Sequence, residues 1–204
     1  EKDADGAARA TVQGLLLALA LSTVLGVLGA RFAPALLALM GADAEVVATG
    51  TGFARIALGG NGAVFLLFLV NAAFRGAGDA AVAMRALVLG NAVNIALAPL
   101  LIFGPGPVPA LGLEGAAIAT VVGRGIGFGY ALRHLARGRG ALRVDRRHLA
   151  LEPRAMLDIA TLSGWGTVQV AIGSMSWIGL VRLIATFGAT AVAGYTIAIR
   201  ILLF

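Results

Sequence analysis

Long apolar runs, separated by short charged or Pro/Gly-rich segments, are the feature that most constrains how this chain can fold. A helix of roughly 20 apolar residues is long enough to cross the hydrocarbon core of a bilayer. The complete runs extend from Val12 to about Ala30, Val46 to Phe74, about Ala80 to Phe103, Leu111 to Leu132, and about Met156 to Phe187. A further run begins near Ala189 and is cut off at Phe204. No run alternates with period two, so the pattern predicts an all-α, polytopic transmembrane helical bundle.

The scarcity of charge excludes most other classes of protein. Charged residues make up 13% of the chain, about half of the roughly one quarter typical of soluble domains. These residues are too few to cover the surface of a soluble enzyme of this size with charged and polar side chains. We therefore expect a lipid bilayer as the solvent and no enzymatic activity. There is no cysteine, and both histidines, His134 and His148, lie in one basic segment, so no metal site and no cofactor are expected. The net charge of +6 is spread between apolar runs, which argues against a nucleic-acid partner.

The arginines indicate an orientation. Residues 133–154 hold seven arginines and only two acidic residues, which makes this segment cytoplasmic by the positive-inside rule. Every other connection agrees with one alternating topology, so we expect a multi-pass protein of the inner (plasma) membrane. The same segment divides the chain into a first helical bundle with four spans at 1–132, a basic linker at 133–154 and the start of a second bundle at 155–204. The chain starts without Met and ends inside an apolar run, so we expect a piece of a longer protein.

Rare polar residues inside the spans are the candidates for function, because such groups are costly in lipid and are usually paired or face a cavity. Asn91 and Asn94 share one helix face, and Thr120 lies in the next span. These side chains can bind a cation or a substrate, or they can hold helices together. Gln169 is a further candidate for lining a cavity. Trp177 can line a cavity or face lipid.

Glycines mark two further places. Gly123, Gly125, Gly127 and Gly129 form overlapping small-xxx-small pairs and predict close helix packing. Gly76, Gly78 and Asp79 predict a tight turn in which Asp79 caps the following helix. The turn also fits the G-x-G-D pattern of intramembrane aspartyl proteases. That alternative lacks the second intramembrane carboxylate that the chemistry needs.

Two stretches resemble the multidrug and toxic compound extrusion (MATE) transporters. The first reads FRGAGDAAVAMRALVLGNAVNIALAPLLIFGPGPVPALGLEGAAIATVVG, from Phe74 to Gly123, and the second reads FGATAVAGYTIAIR, from Phe187 to Arg200. The resemblance implies four helices of a first lobe, beginning with the family's third helix, the inter-lobe linker and the start of a second lobe. Such transporters have twelve helices in two bundles. They export amphiphilic, often cationic compounds by alternating access, driven by H⁺ or Na⁺.

The resemblance also implies a cation site. Asn94 matches the family's fifth-helix Asn and Thr120 its sixth-helix Thr, whereas the matching fifth-helix Asp position is Ala98. Because Ala98 stands in the place of that carboxylate, the matching residues indicate the class of protein but do not identify the coupling ion. A related alternative is a flippase for lipid-linked oligosaccharides, which requires Arg55, Arg124 and Arg182 to face one central cavity.

Overall fold

Seven helices account for nearly all of the residues that the computed structural model describes, which are 4–39, 44–104, 109–137, 144 and 152–202. In chain order they are α1 (Ala4–Leu39), α2 (Ala44–Gly59), α3 (Asn61–Gly76), α4 (Ala80–Phe103), α5 (Gly112–Arg137), α6 (Pro153–Ala185) and α7 (Ala189–Leu202). No strand occurs within these ranges. The all-α fold is therefore confirmed, and five segments, with α2 and α3 counted together, are long and apolar enough to cross a membrane.

The first helix is longer than the apolar pattern predicts. Arg31 and Pro34 were expected to follow a span that ends near Ala30, but α1 continues through both to Leu39. A proline removes only one intrahelical hydrogen bond, here the bond to the carbonyl of Ala30. Membrane helices tolerate such a loss where neighbouring groups compensate.

The second predicted span is broken in two. A single helix was expected from Val46 to Phe74, but the helix stops at Gly59 and restarts at Asn61. Glycines at 59, 60 and 62 lower helix propensity by about 1 kcal/mol each. The Gly60 N–H donates to the carbonyl of Ile56 at 2.8 Å, and the Gly60 carbonyl accepts the N–H of Ala63 at 3.2 Å. A side chain at Gly60 would collide with Val121 of α5, so a glycine at this position also allows α5 to approach closely.

The chain forms two compact units, Glu1–Met156 and Leu157–Phe204. In the first unit, α3 supplies the centre of the core with the fully buried side chains of Leu67, Val70 and Phe74. Residues of α4 and α5, among them Ala86 and Ala131, pack against them. This core lies at the end of the unit that holds the turn between α3 and α4, which we call the basic end because Arg75 and Arg85 flank that turn.

The second unit contains most of α6, the turn at Gly188 and α7. Gly188 has φ +97°, in the left-handed region, and its carbonyl accepts the N–H of Ala191 at 3.2 Å. Most of the predicted basic linker, at 138–143 and 145–151, lies outside the described residues.

Candidate ion and substrate site

Helices α4 and α5 approach each other along a seam of small residues. A Cβ added to Gly123 would lie 2.5 Å from the carbonyl oxygen of Gly90, and one added to Gly127 would lie 2.7 Å from that of Ala86. Nearer the other end of the pair, a Cβ on Gly115 would lie 2.5 Å from the Leu101 oxygen. Because residue numbers rise on one helix as they fall on the other, the pair is antiparallel. Backbones at this distance leave no room for larger side chains.

The close approach brings Asn94 of α4 onto Thr120 of α5. The Asn94 side chain donates from Nδ2 to Thr120 Oγ1 at 3.2 Å, and Thr120 Oγ1 donates to the carbonyl of Ala116 at 2.9 Å. A Cβ at Gly123 would lie 3.1 Å from the Asn94 Cβ, so this glycine keeps the space that the asparagine needs. The Thr120 hydroxyl proton is therefore used in a hydrogen bond within α5. The oxygens of the pair, Asn94 Oδ1 above all, are therefore the atoms that can face a ligand.

Two further polar residues, Asn91 and Arg124, lie next to this pair on the side of the basic end. Asn91 is three residues before Asn94 on α4, and Arg124 is four residues after Thr120 on α5, so each shares a face with its neighbour. Since the helices are antiparallel, both steps lead toward the basic end. Asn91 and Thr120 are exposed, whereas Asn94 and Arg124 are half-buried. We call these four residues the polar flank of the α4–α5 pair.

No carboxylate belongs to the polar flank. Ala98 is half-buried, one turn from Asn94 toward the opposite end, and its methyl group supplies no charge. Pro99 follows it inside α4 and has no N–H, so the carbonyl of Ile95 lacks its intrahelical donor. Across the described ranges no group of three or more His, Cys, Asp or Glu residues is placed to hold a metal ion.

The other candidates lie elsewhere. Arg55 is exposed on α2. Gln169, Trp177 and Arg182 are exposed on α6, within the second unit. That Gln169 lines a cavity stays a prediction, as does the flippase requirement that Arg55, Arg124 and Arg182 face one cavity.

One of the two glycine pairs in α5 packs against α4. Gly123 and Gly127 contact α4, but within the described residues a Cβ on Gly125 or Gly129 would meet no atom within 4 Å. That Gly125 and Gly129 also serve helix packing stays a prediction. Gly125 and Gly129 lie two residues from the packed positions, which rotates them to other sides of the helix.

The turn between α3 and α4 differs from the expectation at Asp79. Gly78 adopts φ +86°, a conformation that favours glycine. Asp79 precedes α4, but its side chain makes no capping hydrogen bond, so the capping prediction is wrong. The carboxylate instead lies 3.9 Å from His134 Nε2 of α5, and the His134 ring contacts Phe74 edge to face at 5.8 Å between centroids. Asp79 thus joins the α3–α4 turn to α5.

Two fully buried polar side chains were missed by sequence reasoning. Gln13 of α1 accepts the N–H of Glu152 through Oε1 at 3.2 Å, which holds the residue before α6 against α1. Asn71 of α3 has no hydrogen-bond partner within the described part of the chain for either amide atom. The available signal was a carboxamide inside an apolar run, the criterion that selected Asn91 and Asn94.

Long apolar helices with polar side chains gathered at a close helix contact are typical of a polytopic α-helical membrane protein. Comparison with known proteins identifies the family to which the chain belongs. The MatE family model matches residues 1–100. The chain belongs to the multidrug and toxic compound extrusion (MATE) family of transporters.

Two curated relatives and one solved structure illustrate the likeness. The probable multidrug resistance protein YoeA of Bacillus subtilis is 30% identical over 178 residues, which is 86% of this chain and 38% of that protein. An FAD transporter of Shewanella oneidensis is 32% identical over 158 residues, covering 71% of this chain and 35% of that protein. The outward-facing structure of a multidrug resistance MATE family transporter superposes with a TM-score of 0.84 at 27% identity, over 99% of this chain and 44% of that one. The chain therefore spans less than half of the length of these proteins.

Proposed function

We propose that the protein to which this chain belongs exports amphiphilic or cationic small molecules by alternating access, in exchange for H⁺ or Na⁺. Two kinds of observation support this. The family consists of transporters, and relatives carry the names of multidrug resistance proteins and of an FAD transporter. The first unit holds an interhelical pair, Asn94 with Thr120, at the middle of two long apolar helices. We place the protein in the plasma membrane with the basic end in the cytoplasm, on the strength of the arginine distribution.

The single observation that carries the proposal is the bond from Asn94 Nδ2 to Thr120 Oγ1 at 3.2 Å. It directs Oδ1 of Asn94 away from the contact and fixes the Thr120 oxygen beside it. Amide and hydroxyl oxygens are suitable ligands for hard cations such as Na⁺, and the Ile95 carbonyl, freed by Pro99, lies one residue away. These few neutral oxygens are fewer than a hard cation requires. The remaining ligands, and any proton-exchanging carboxylate, are therefore proposed to come from other helices of the complete protein.

The test uses the complete protein in vesicles with an imposed Na⁺ or H⁺ gradient and a set of fluorescent amphiphiles of either charge. We expect one of the two gradients to accelerate dye movement severalfold, and an ionophore that collapses it to remove the acceleration. Transport that both ionophores leave unchanged would refute coupled exchange.

Variants at Thr120 test the site itself. Thr120→Val keeps the shape of the side chain but removes the oxygen, and we expect it to lose the stimulation by the ion. Thr120→Ser keeps the oxygen and is expected to keep the stimulation. Thr49→Val is the matched control, because the Thr49 hydroxyl also donates to its own helix, at 2.9 Å to Glu45, but Thr49 lies on α2, outside the polar flank. Equal effects of the two valine variants would remove the pair from the proposed mechanism.

A further inference from the structure

Arg124 is the one arginine of the polar flank, and it lies near the middle of α5. The helix extends from Gly112 to Arg137, so Arg124 has 12 residues before it and 13 after it in the helix. At 1.5 Å per residue, either end is about 18 Å away. A side chain cannot carry its charge that far by snorkelling, which works only near helix ends. The guanidinium therefore stays at the depth of the hydrocarbon core.

An arginine at this depth pairs with a carboxylate or with backbone carbonyls, or it faces a water-filled cavity, which an anionic ligand can enter. Within the described residues no carboxylate lies within 4.0 Å of Arg124. The described acidic residues of the first unit all lie at helix ends or connections: Asp5, Glu45, Asp79, Glu114 and Glu152. Glu114, on the same helix, is ten residues away, or about 15 Å. The described residues of this unit therefore supply no carboxylate as a counter-charge for Arg124.

The neighbours of Arg124 are suited to an anion. Thr120 is one turn away on the same face, Asn91 and Asn94 lie on the facing helix, and the amide nitrogen of Asn91 is a hydrogen-bond donor. A guanidinium with adjacent amide and hydroxyl groups matches the geometry of carboxylates and phosphates, which accept two parallel hydrogen bonds from arginine. Ala98 adds no negative charge that would repel such a group.

We propose that the polar flank binds the anionic group, a carboxylate or a phosphate, of an amphiphilic organic substrate, with Arg124 as the charge that selects it. The inference rests on the proposed function and narrows its substrate class. A bilayer phospholipid is the other source of such a group. The depth of Arg124 favours a mobile small molecule, because a lipid headgroup would have to leave the interface to reach it.

The test compares two xanthene dyes of similar size and opposite charge, carboxyfluorescein and rhodamine 6G, on the complete protein. Binding is followed by fluorescence anisotropy in detergent and transport in phosphatidylcholine vesicles. We expect carboxyfluorescein to bind and move, and Arg124→Gln to weaken its binding about 10- to 100-fold, the range for a hydrogen bond to a charged group. Arg124→Lys should restore part of the affinity. Arg133→Gln, a control at an exposed arginine near the end of the same helix, should change nothing.

The outcomes separate the two proposals. If rhodamine 6G moves but carboxyfluorescein neither binds nor moves, the anionic substrate is refuted and export by alternating access stands. If no dye moves under any gradient, the proposed function itself fails. If Arg124→Gln reduces both dyes equally and lowers the melting temperature, Arg124 is a structural ion-pair partner and the inference is overturned. An effect that appears only when phosphatidylglycerol is added to the vesicles would assign the flank to a lipid headgroup and overturn it as well.

Discussion

Replacing Gly123 with alanine tests the contact on which the candidate site depends. The new Cβ would lie 2.5 Å from the Gly90 oxygen and 3.1 Å from the Asn94 Cβ. The Gly90 oxygen is a backbone atom, and the Asn94 Cβ is bonded directly to the backbone, so no rotamer change can move either of them. Helices α4 and α5 must separate by something on the order of 1 Å, and overpacking of this kind costs about 1–3 kcal/mol.

Gly125→Ala is the matched control, because its Cβ would meet no atom within 4 Å in the part of the chain that the structure describes. Both substitutions gain about 1 kcal/mol of helix propensity, so that contribution cancels in the comparison. We expect Gly123→Ala to melt a few degrees below Gly125→Ala when the complete protein is heated in detergent and followed by size-exclusion chromatography.

The same displacement has a functional consequence. The bond from Asn94 to Thr120 is already 3.2 Å long, and a further 1 Å would break it. Gly123→Ala should therefore lose most of the stimulation of transport by the coupling ion, whereas Gly125→Ala should keep it. If both variants melt within about one degree of each other and transport alike, the α4–α5 contact is not as close as the distances indicate, and the reasoning fails.

The remaining predictions concern buried or constrained groups outside the polar flank, and each is measured by thermal melting of the complete protein. Asn71→Leu should stabilise the protein by about 1–3 kcal/mol, because it removes a buried amide that has no partner in the described residues; destabilisation would contradict this. Gln13→Leu should destabilise it by about 1–3 kcal/mol, because the N–H of Glu152 loses its acceptor, and should speed proteolysis beside that residue; unchanged melting and cleavage would exclude that anchoring role. Gly78→Ala should cost about 1–2 kcal/mol because φ is +86° there, and a loss no larger than that of Gly76→Ala, a site without that constraint, would count against strain.

The sequence predicts helix ends best where charge and turn residues coincide. Helix α4 begins at Ala80 and ends at Phe103, as predicted, because Gly78 and Asp79 precede it and Gly104, in the left-handed conformation, follows it. Hydropathy alone does not locate the break at Gly60, because glycine is apolar enough to continue a span while lowering its helix propensity. Composition therefore predicts that a segment crosses the membrane, but not whether it does so as one helix.

Part of the candidate site can likewise be predicted from the sequence, and part depends on tertiary packing. The spacing of Asn91 and Asn94 places both on one helix face, and the family resemblance pairs Asn94 with Thr120. The sequence does not distinguish Gly123 and Gly127, which contact α4, from Gly125 and Gly129, where an added Cβ would meet no described atom within 4 Å. That distinction depends on the rotation of α5 about its axis, which tertiary packing sets.

The positive charge of Arg124 decides whether the polar flank binds a cation or an anion, since Asn94 and Thr120 are neutral and can bind either. Arg124 lies one turn from Thr120, about 6 Å along the helix axis. At an effective dielectric constant of about 20, two unit charges at that separation interact by about 3 kcal/mol, or roughly a hundredfold in affinity. This term opposes a cation and favours an anion, and Ala98, one turn from Asn94 on the other side, does nothing to offset it. A coupling cation at Asn94 and Thr120 therefore requires a carboxylate from another helix, whereas an anionic substrate group requires no charge beyond Arg124.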